Sequence, residues 1–223
     1  MLRLRLNNST VFKTQREIVD KYKPDGINLD YIRYPQALSS RYQNYDLSNW
    51  GYTPYARAEF REMYGTDPMD ITPSDALWSY WRNYRCGKVT DFVKKVSYLT
   101  KANNIELTAV IFPNRSSAID TKLQDWKIWS INNFVDGFTP LFLTCDDTTA
   151  MNLMEEVLRN KSASTKLYAG LFVTFMNGTN SDLIKQIHAA RKYSLNGVII
   201  FDYAHLKKEY VEVLTESIFK PRL

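Results

Sequence analysis

The feature that most constrains this chain is a junction used three times. Asp25-Gly26, Asp136-Gly137 and Asn196-Gly197 each stand between a stretch of helical periodicity and a stretch that reads as a strand. Glycine after Asp or Asn permits the positive φ that ends a helix and launches a strand. Gly137 and Gly197 are 60 residues apart and enclose two strand-helix units, so the repeat is about 30 residues, the size of a βα unit. Repeated βα units demand a parallel sheet with right-handed crossovers. Five such strands fit either an open doubly wound sheet or most of an eight-stranded barrel. The sequence contains no GxGxxG or GxxxxGKS/T loop, which argues against dinucleotide and P-loop readings.

The stretch Asp25 to Pro35 has the most informative parity. Ile27 and Leu29 fall on one face of a strand, Asn28 and Asp30 on the other, so helices covering the apolar side leave an amide and a carboxylate aimed opposite. Asp30 falls near the carboxyl end, followed by Tyr31, Arg33 and Tyr34, and ligands collect at the carboxyl ends of parallel strands. A helix through Val11, Ile18, Val19 and Tyr22 precedes this strand. After it, 36–73 is rich in Tyr, Asn, Ser and Pro and reads as an ordered loop insertion, with a short helix from Tyr55 to Tyr64 ended by Gly65.

Helices are then expected from Ser74 or Asp75 to Ala102 with an interruption at Gly87, from Leu123 to Asn132, from Thr149 to Arg159, and from Asp182, capped by Ser181, to Tyr193. Strands are expected at Ile105 to Phe112, Phe138 to Leu143, Leu167 to Phe175 and Val198 to Tyr203, before a terminal helix reaching Phe219.

The 223 residues suffice for one substantial core and read as a single domain, 1–223. The net charge of +5 is spread along helical stretches such as Lys94-Lys95 and Lys207-Lys208, the pattern of solvated faces and not of a nucleic-acid site. Cys86 and Cys145 lie in different segments without metal-ligand or disulfide spacing, so no metal is expected. No apolar run reaches the ~20 residues of a membrane span, and the N-terminus shows no signal-peptide pattern.

Residues Asp25 to Pro35 resemble the DGIHLDYIRYP signature of the glycoside-hydrolase-like family 10 proteins, relatives of the TIM-barrel glycosidases. Phe60 to Pro68 resembles the family's F-x-x-x-Y-G-x-D-P segment, and Trp78 to Phe92 its W-x-x-W-R run with the V-T-x-L/F-V helix. Leu107 to Arg115 and Gly197 to Leu206 are similar to its S-A-A-V-F-P-N and G-V-x-L-F-x-Y-x-x-L segments. One segment departs: Pro140-Leu141-Phe142-Leu143-Thr144 stands where the family reads P-M-x-Y-T, so a tyrosine hydroxyl is lost.

The resemblance implies a parallel (β/α) TIM-barrel-like fold, incomplete, with about five of eight strands corresponding to strands four to eight. It further implies a glycosidase acting on O-glycosidic bonds of a bacterial envelope or extracellular polysaccharide, with the full-length protein extracytoplasmic. Strand edges left open at both ends predict that missing N-terminal strands or a partner chain close the sheet.

Glycoside hydrolysis uses two carboxyls and needs no cofactor. Asp30 is the first candidate; its partner is expected from Asp202, near the end of the last strand, or from the missing strands. Asp146 and Asp147 precede a helix and read as N-caps. The strand Leu167 to Phe175 carries no carboxylate, although many retaining TIM-barrel glycosidases hold their nucleophile at that place. Tyr31, Arg33, Tyr34, Asn114 and Arg115 are the candidate substrate contacts, with Arg85 joined to them through its match to the family's helix run. Tyr42, Tyr45, Trp50, Tyr52 and Tyr55 offer flat faces suited to sugar rings. Trp78, Trp81, Trp126 and Trp129, at helical spacing of three, read as core; His188 reads as a surface or packed histidine and His205 as a rim residue. The alternative function is a carbohydrate-binding protein with the same stacking surface and no competent carboxyl pair.

Overall fold

A computed structural model describes residues 10–35, 50–176 and 180–219. Its centre is a sheet of five parallel strands in sequential order: β1 (Gly26–Leu29), β2 (Glu106–Ile111), β3 (Gly137–Phe142), β4 (Lys166–Phe172) and β5 (Gly197–Phe201). The sheet is curled into half of a barrel, with helices outside. Each strand pairs with its sequence neighbour, so β1 and β5 are the two edges.

The helices are α1 (Thr10–Tyr22), α2 (Pro54–Tyr64), α3 (Leu77–Ala102), α4 (Arg115–Lys122), α5 (Trp126–Ile131), α6 (Asp147–Asn160), α7 (Asn180–Lys192) and α8 (Lys208–Val213). One strand parity faces them: Leu29, Leu107, Ala109, Ile111 and Phe138 pack with Val89, Phe92, Val93, Val96, Trp126 and Trp129. At the other end of the sheet Phe142, Ala169 and Leu171 pack with Ala150, Met154, Leu183, Ile187 and Tyr210. This apolar seam holds the helices to the strands and leaves the other parity to line the concave face.

The three Asp/Asn-Gly junctions sit where the spacing puts them, for a different physical reason. Gly26, Gly137 and Gly197 are absent from the positive-φ residues; Lys23, Asn104, Asn133 and Ser194, with φ between 44° and 56°, make the left-handed step between helix and strand. The acidic or amide side chain instead extends the ladder. Asp136 Oδ2 accepts from the Leu107 N–H at 2.8 Å, and Asn196 Oδ1 from the Leu167 N–H at 2.9 Å. The glycines make room. A Cβ at Gly137 would meet the Tyr168 ring at 3.2 Å, and one at Gly197 would meet the same ring, also at 3.2 Å.

Other boundaries also differ from expectation. Gly87 does not interrupt α3, which is continuous. The segment before Trp126 folds as a helix of its own, α4, joined to α5 through Leu123 at φ 55°. Ser181 lies inside α7 rather than capping it. Two expected strands end early: Val173–Phe175, the end of one, forms a 3-10 turn, and a second such turn, Tyr203–His205, begins at the last residue of the other. As expected, Gly65 closes α2 in the left-handed region, and Asp146 caps α6 by accepting from the Thr149 N–H.

Part of the insertion, 36–49 with Tyr42 and Tyr45, lies outside the described residues. The remainder folds around an aromatic cluster in which Phe60 and Trp81 are fully buried, with Tyr52, Trp78 and Tyr84 against them. Asp67 locks it. Its carboxylate accepts from the Arg57 guanidinium, from Arg61 and from the Met69 N–H, and these bonds hold it well below the usual carboxylate range. Cys86 is buried and Cys145 exposed, both as free thiols, and burial pushes the Cys86 thiol up to about 12.

Candidate functional site

Three levels of side chains line the concave face. At the amino ends of the strands, Glu106 takes Lys166 at 3.1 Å and the Tyr168 hydroxyl at 3.4 Å. In the middle, Asn28 Oδ1 accepts from the Thr108 hydroxyl at 2.9 Å and the Thr139 hydroxyl at 3.4 Å. Two donors thus occupy the amide oxygen, and the Asn28 NH2 is free among the described residues to offer its hydrogens to the cleft. At the carboxyl ends lie Asp30 and its neighbours.

β1 ends at Leu29, and the chain turns at once: Tyr31 has φ 51°, and its N–H donates to Asp30 Oδ1 at 2.7 Å. Asp30 is exposed, on the parity of Asn28, and Tyr31 is 70% exposed beside it. Arg33 stacks between two rings, its guanidinium carbon 5.0 Å from the Tyr31 centroid and 5.4 Å from that of Phe112. Both rings are apolar platforms next to a cation, a combination suited to a sugar's C–H face and hydroxyl edge.

The loop holding this mouth is fixed by Gln124, which is 1% exposed. Its side-chain oxygen accepts from the Phe112 N–H, and its amide donates to the carbonyls of Ile32 and Val110. The Tyr34 N–H donates to the Lys122 carbonyl at 3.0 Å. The Lys122 carbonyl and the Gln124 side chain therefore tie the segment after β1 to the end of β2. Gln124→Ala leaves three buried backbone groups without partners and is expected to cost about 2–4 kcal/mol, read as a lowered unfolding midpoint, and Gln124→Glu, which sets a buried acceptor against the Ile32 and Val110 carbonyls, is expected to lose at least as much.

The candidates from the sequence separate in space. Tyr31 and Arg33 stand with Asp30 at the mouth. Tyr34 turns away from it, packing on the buried cluster of Cys86 and Leu123 with its hydroxyl pushed up to about 12 by burial. Arg85 is a correction to the expected cleft contact: it is fully buried in the insertion's aromatic cluster, over Trp81, Trp78 and Tyr52 at 5.0 to 5.8 Å, and its guanidinium donates to the Trp50 carbonyl. It lies there because a planar cation stacks on rings at low desolvation cost. Asn114 caps α4 by accepting from the Ser117 N–H, and Arg115 pairs with Asp125 at 3.3 Å. Arg115 also borders a hollow of about 310 Å³ with Arg82, Asp120, Glu156 and Asn160, to which no strand residue contributes.

Asp202 caps the turn Tyr203–His205, with Oδ1 2.6 Å from His205 Nδ1 and accepting from the His205 N–H. The His205 contact lowers the Asp202 carboxyl from its ordinary value, so it stands as a carboxylate at neutral pH. Asp30 and Asp202 follow the two edge strands, four strand spacings apart, about 19 Å along the sheet at about 4.8 Å per spacing. Among the described residues no second carboxylate stands on a strand end adjacent to Asp30. Nor does any group of three or more His, Cys, Asp or Glu side chains among them form a metal site.

Phe112, Lys122 and Gln124 are the members of this mouth that sequence reasoning did not find. The expected helix at Leu123 to Asn132 placed Gln124 inside a regular element, where a glutamine is unremarked. Lys122 carries no motif, and its position is set by a left-handed residue, Leu123, that no glycine or asparagine marks.

Comparison with known proteins bears on this geometry. The family model described as glycosyl hydrolase-like 10 matches residues 8–182. Among solved structures, the glycoside hydrolase domain of PgaB (BpsB) from Bordetella bronchiseptica is similar with a TM-score of 0.54 at 12% identity, covering 73% of this chain and 51% of that one. The likeness is one of fold, and the chain spans about half the length of that domain. No curated protein matches the chain.

Proposed function

The chain belongs to the glycosyl hydrolase-like 10 family, and from that premise we propose that it is a glycosidase cleaving O-glycosidic bonds of a bacterial envelope or extracellular polysaccharide. The observation that carries the reading is Asp30: an exposed carboxylate on the concave parity, at the carboxyl end of a parallel strand, flanked by an exposed ring and a stacked arginine. Asp30 serves as general acid or essential carboxylate, and Asp202, kept ionised by His205, is its partner. Tyr31 and Arg33 hold the sugar beside Asp30, and the Asn28 amide meets a hydroxyl below it. Glycan chemistry of this kind places the full-length protein outside the cytoplasm. No helix among the described residues is long and apolar enough to cross a membrane.

A second reading is supported by a specific observation. The two candidate carboxylates follow opposite edge strands, and the end of β4, from Gly170 to Val173, carries none. A carbohydrate-binding protein needs only the stacking surface. Incubating the chain with a panel of soluble envelope and extracellular glycans, with retention and new reducing ends measured on the same samples, separates the two. Release of reducing ends supports the glycosidase; retention without release supports the binding protein; neither leaves both readings without basis.

A further inference from the structure

The mouth beside Asp30 holds two cations that form no ion pair with any described residue. Lys122 Nζ lies 4.5 Å from the Phe112 ring centroid, and the Arg33 guanidinium lies 5.4 Å from the same ring. Lys122 is 8% exposed, and no ion pair to either residue is present among the described residues. The carboxylates of the adjoining segment are committed elsewhere: Asp120 to Arg82 at 2.7 Å, Asp125 to Arg115 at 3.3 Å. Arg33 spends one N–H on the Tyr34 carbonyl, and Asp30 is turned onto the Tyr31 N–H.

A buried ammonium beside a guanidinium is costly. Burial first, and Arg33 second, pull the Lys122 ammonium down to about 8, and no carboxylate offsets them. Folding alone gives no reason for the pair, since a methionine would fill the stem's volume without the charge. Yet the two cations are held in place. The Lys122 carbonyl accepts from the Tyr34 N–H, which ties it to the segment carrying Arg33, and Gln124 ties both to the end of β2. Preorganised cations, one buried and one half-buried, that form no ion pair among the described residues are the arrangement that receives an anion from a ligand.

We propose that Arg33 and Lys122, set against Phe112, seat an anionic substituent of the glycan, a uronate carboxylate or a sulfate ester, so that the preferred substrates are acidic polysaccharides. This rests on the glycan-binding reading above and narrows it. Arg33 offers a planar fork to the two oxygens, Lys122 a point charge from the opposite segment, and Phe112 with Tyr31 a platform for the ring.

The test compares binding of three probes to the full chain by calorimetry: a hexuronate tetramer, its carboxyl-reduced neutral twin, and a sulfated tetramer of the neutral sugar. The acidic probe is expected to bind at least about tenfold tighter than its neutral twin, a difference that falls to about twofold or less in Lys122→Met, where affinity for the neutral twin stays, and in Arg33→Gln, where the neutral twin weakens as well because Arg33 also holds the sugar. Which of the two acidic probes gains identifies the substituent. Lys192→Met, on α7, removes the same net charge away from the mouth and leaves the difference intact. Lys122→Met keeps the buried stem, and its unfolding midpoint at or above that of the parent shows that the fold stands.

Equal binding of acidic and neutral probes overturns the anion seat and leaves glycan binding standing. A preference that survives both mouth substitutions overturns it too, assigning the effect to the chain's overall positive charge. Failure of every probe to bind overturns the seat together with the reading it rests on.

Discussion

Gly170→Ala is expected to disrupt the sheet at its centre. Gly170 lies in β4, paired to Leu141 of β3 and Ile199 of β5. A Cβ built there falls inside the contact distance of the Pro140 carbonyl oxygen and 3.2 Å from the Phe201 ring. The ring can shift, but the carbonyl belongs to the backbone of β3, and moving it separates the strands that carry the middle of the core. Overpacking into a mobile side chain costs about 1–3 kcal/mol, and against fixed backbone the cost is expected at or above the top of that range. For a chain of this size that is a fall of about 6–12 °C in Tm, a large part of the about 5–15 kcal/mol that stabilises a domain. Thermal unfolding followed by far-UV circular dichroism, with soluble yield, measures it. Gly87→Ala is the internal control: nothing lies within 4 Å of its Cβ, in the middle of α3, so it is expected to raise stability by about 0.5–1 kcal/mol. A Gly170→Ala chain within about 2 °C of the parent contradicts this account of the strand spacing.

The fold was legible because its signals are periodic and local. Apolar parity in Ile27, Leu29, Leu107 and Ala109, and capping at Thr53, Gly65 and Asp146, depend on residues a few places apart. The Asp/Asn-Gly junctions were correctly located, but sequence attributes to φ what the structure attributes to space and to a side-chain rung. That distinction depends on Tyr168, some thirty residues from either glycine and on another strand. The helix α4 was missed since eight residues with Arg, Ser, Asp and Lys and little apolar content carry no stripe to read.

Of the site, the residues on β1's end were legible because one motif supplies them together. Arg85 misled for the opposite reason: a charged residue in a motif suggests the cleft, while its surroundings, Tyr52 of the insertion with Trp78 and Trp81 of α3, form only on folding. Asp202 reads as a strand-end carboxylate, and its bond to His205, three residues on, is the local detail that lowers its carboxyl from the ordinary value.

The central claim is that Asp30 performs the chemistry, and it is tested most directly by comparing the chain with its Asp30→Asn variant in reducing-end release and glycan binding on the same substrate. Asparagine keeps the shape and the bond from the Tyr31 N–H but neither donates a carboxylic proton nor carries a stabilising charge. Release is expected to fall by about a thousandfold, the scale of losing a general acid or an essential carboxylate, while binding changes by no more than about twofold. The same loss in Asp202→Asn identifies the partner across the half-barrel. Undiminished release by Asp30→Asn contradicts the account, because the exposed carboxylate that the curled sheet presents beside its aromatic mouth is then not the group that cleaves.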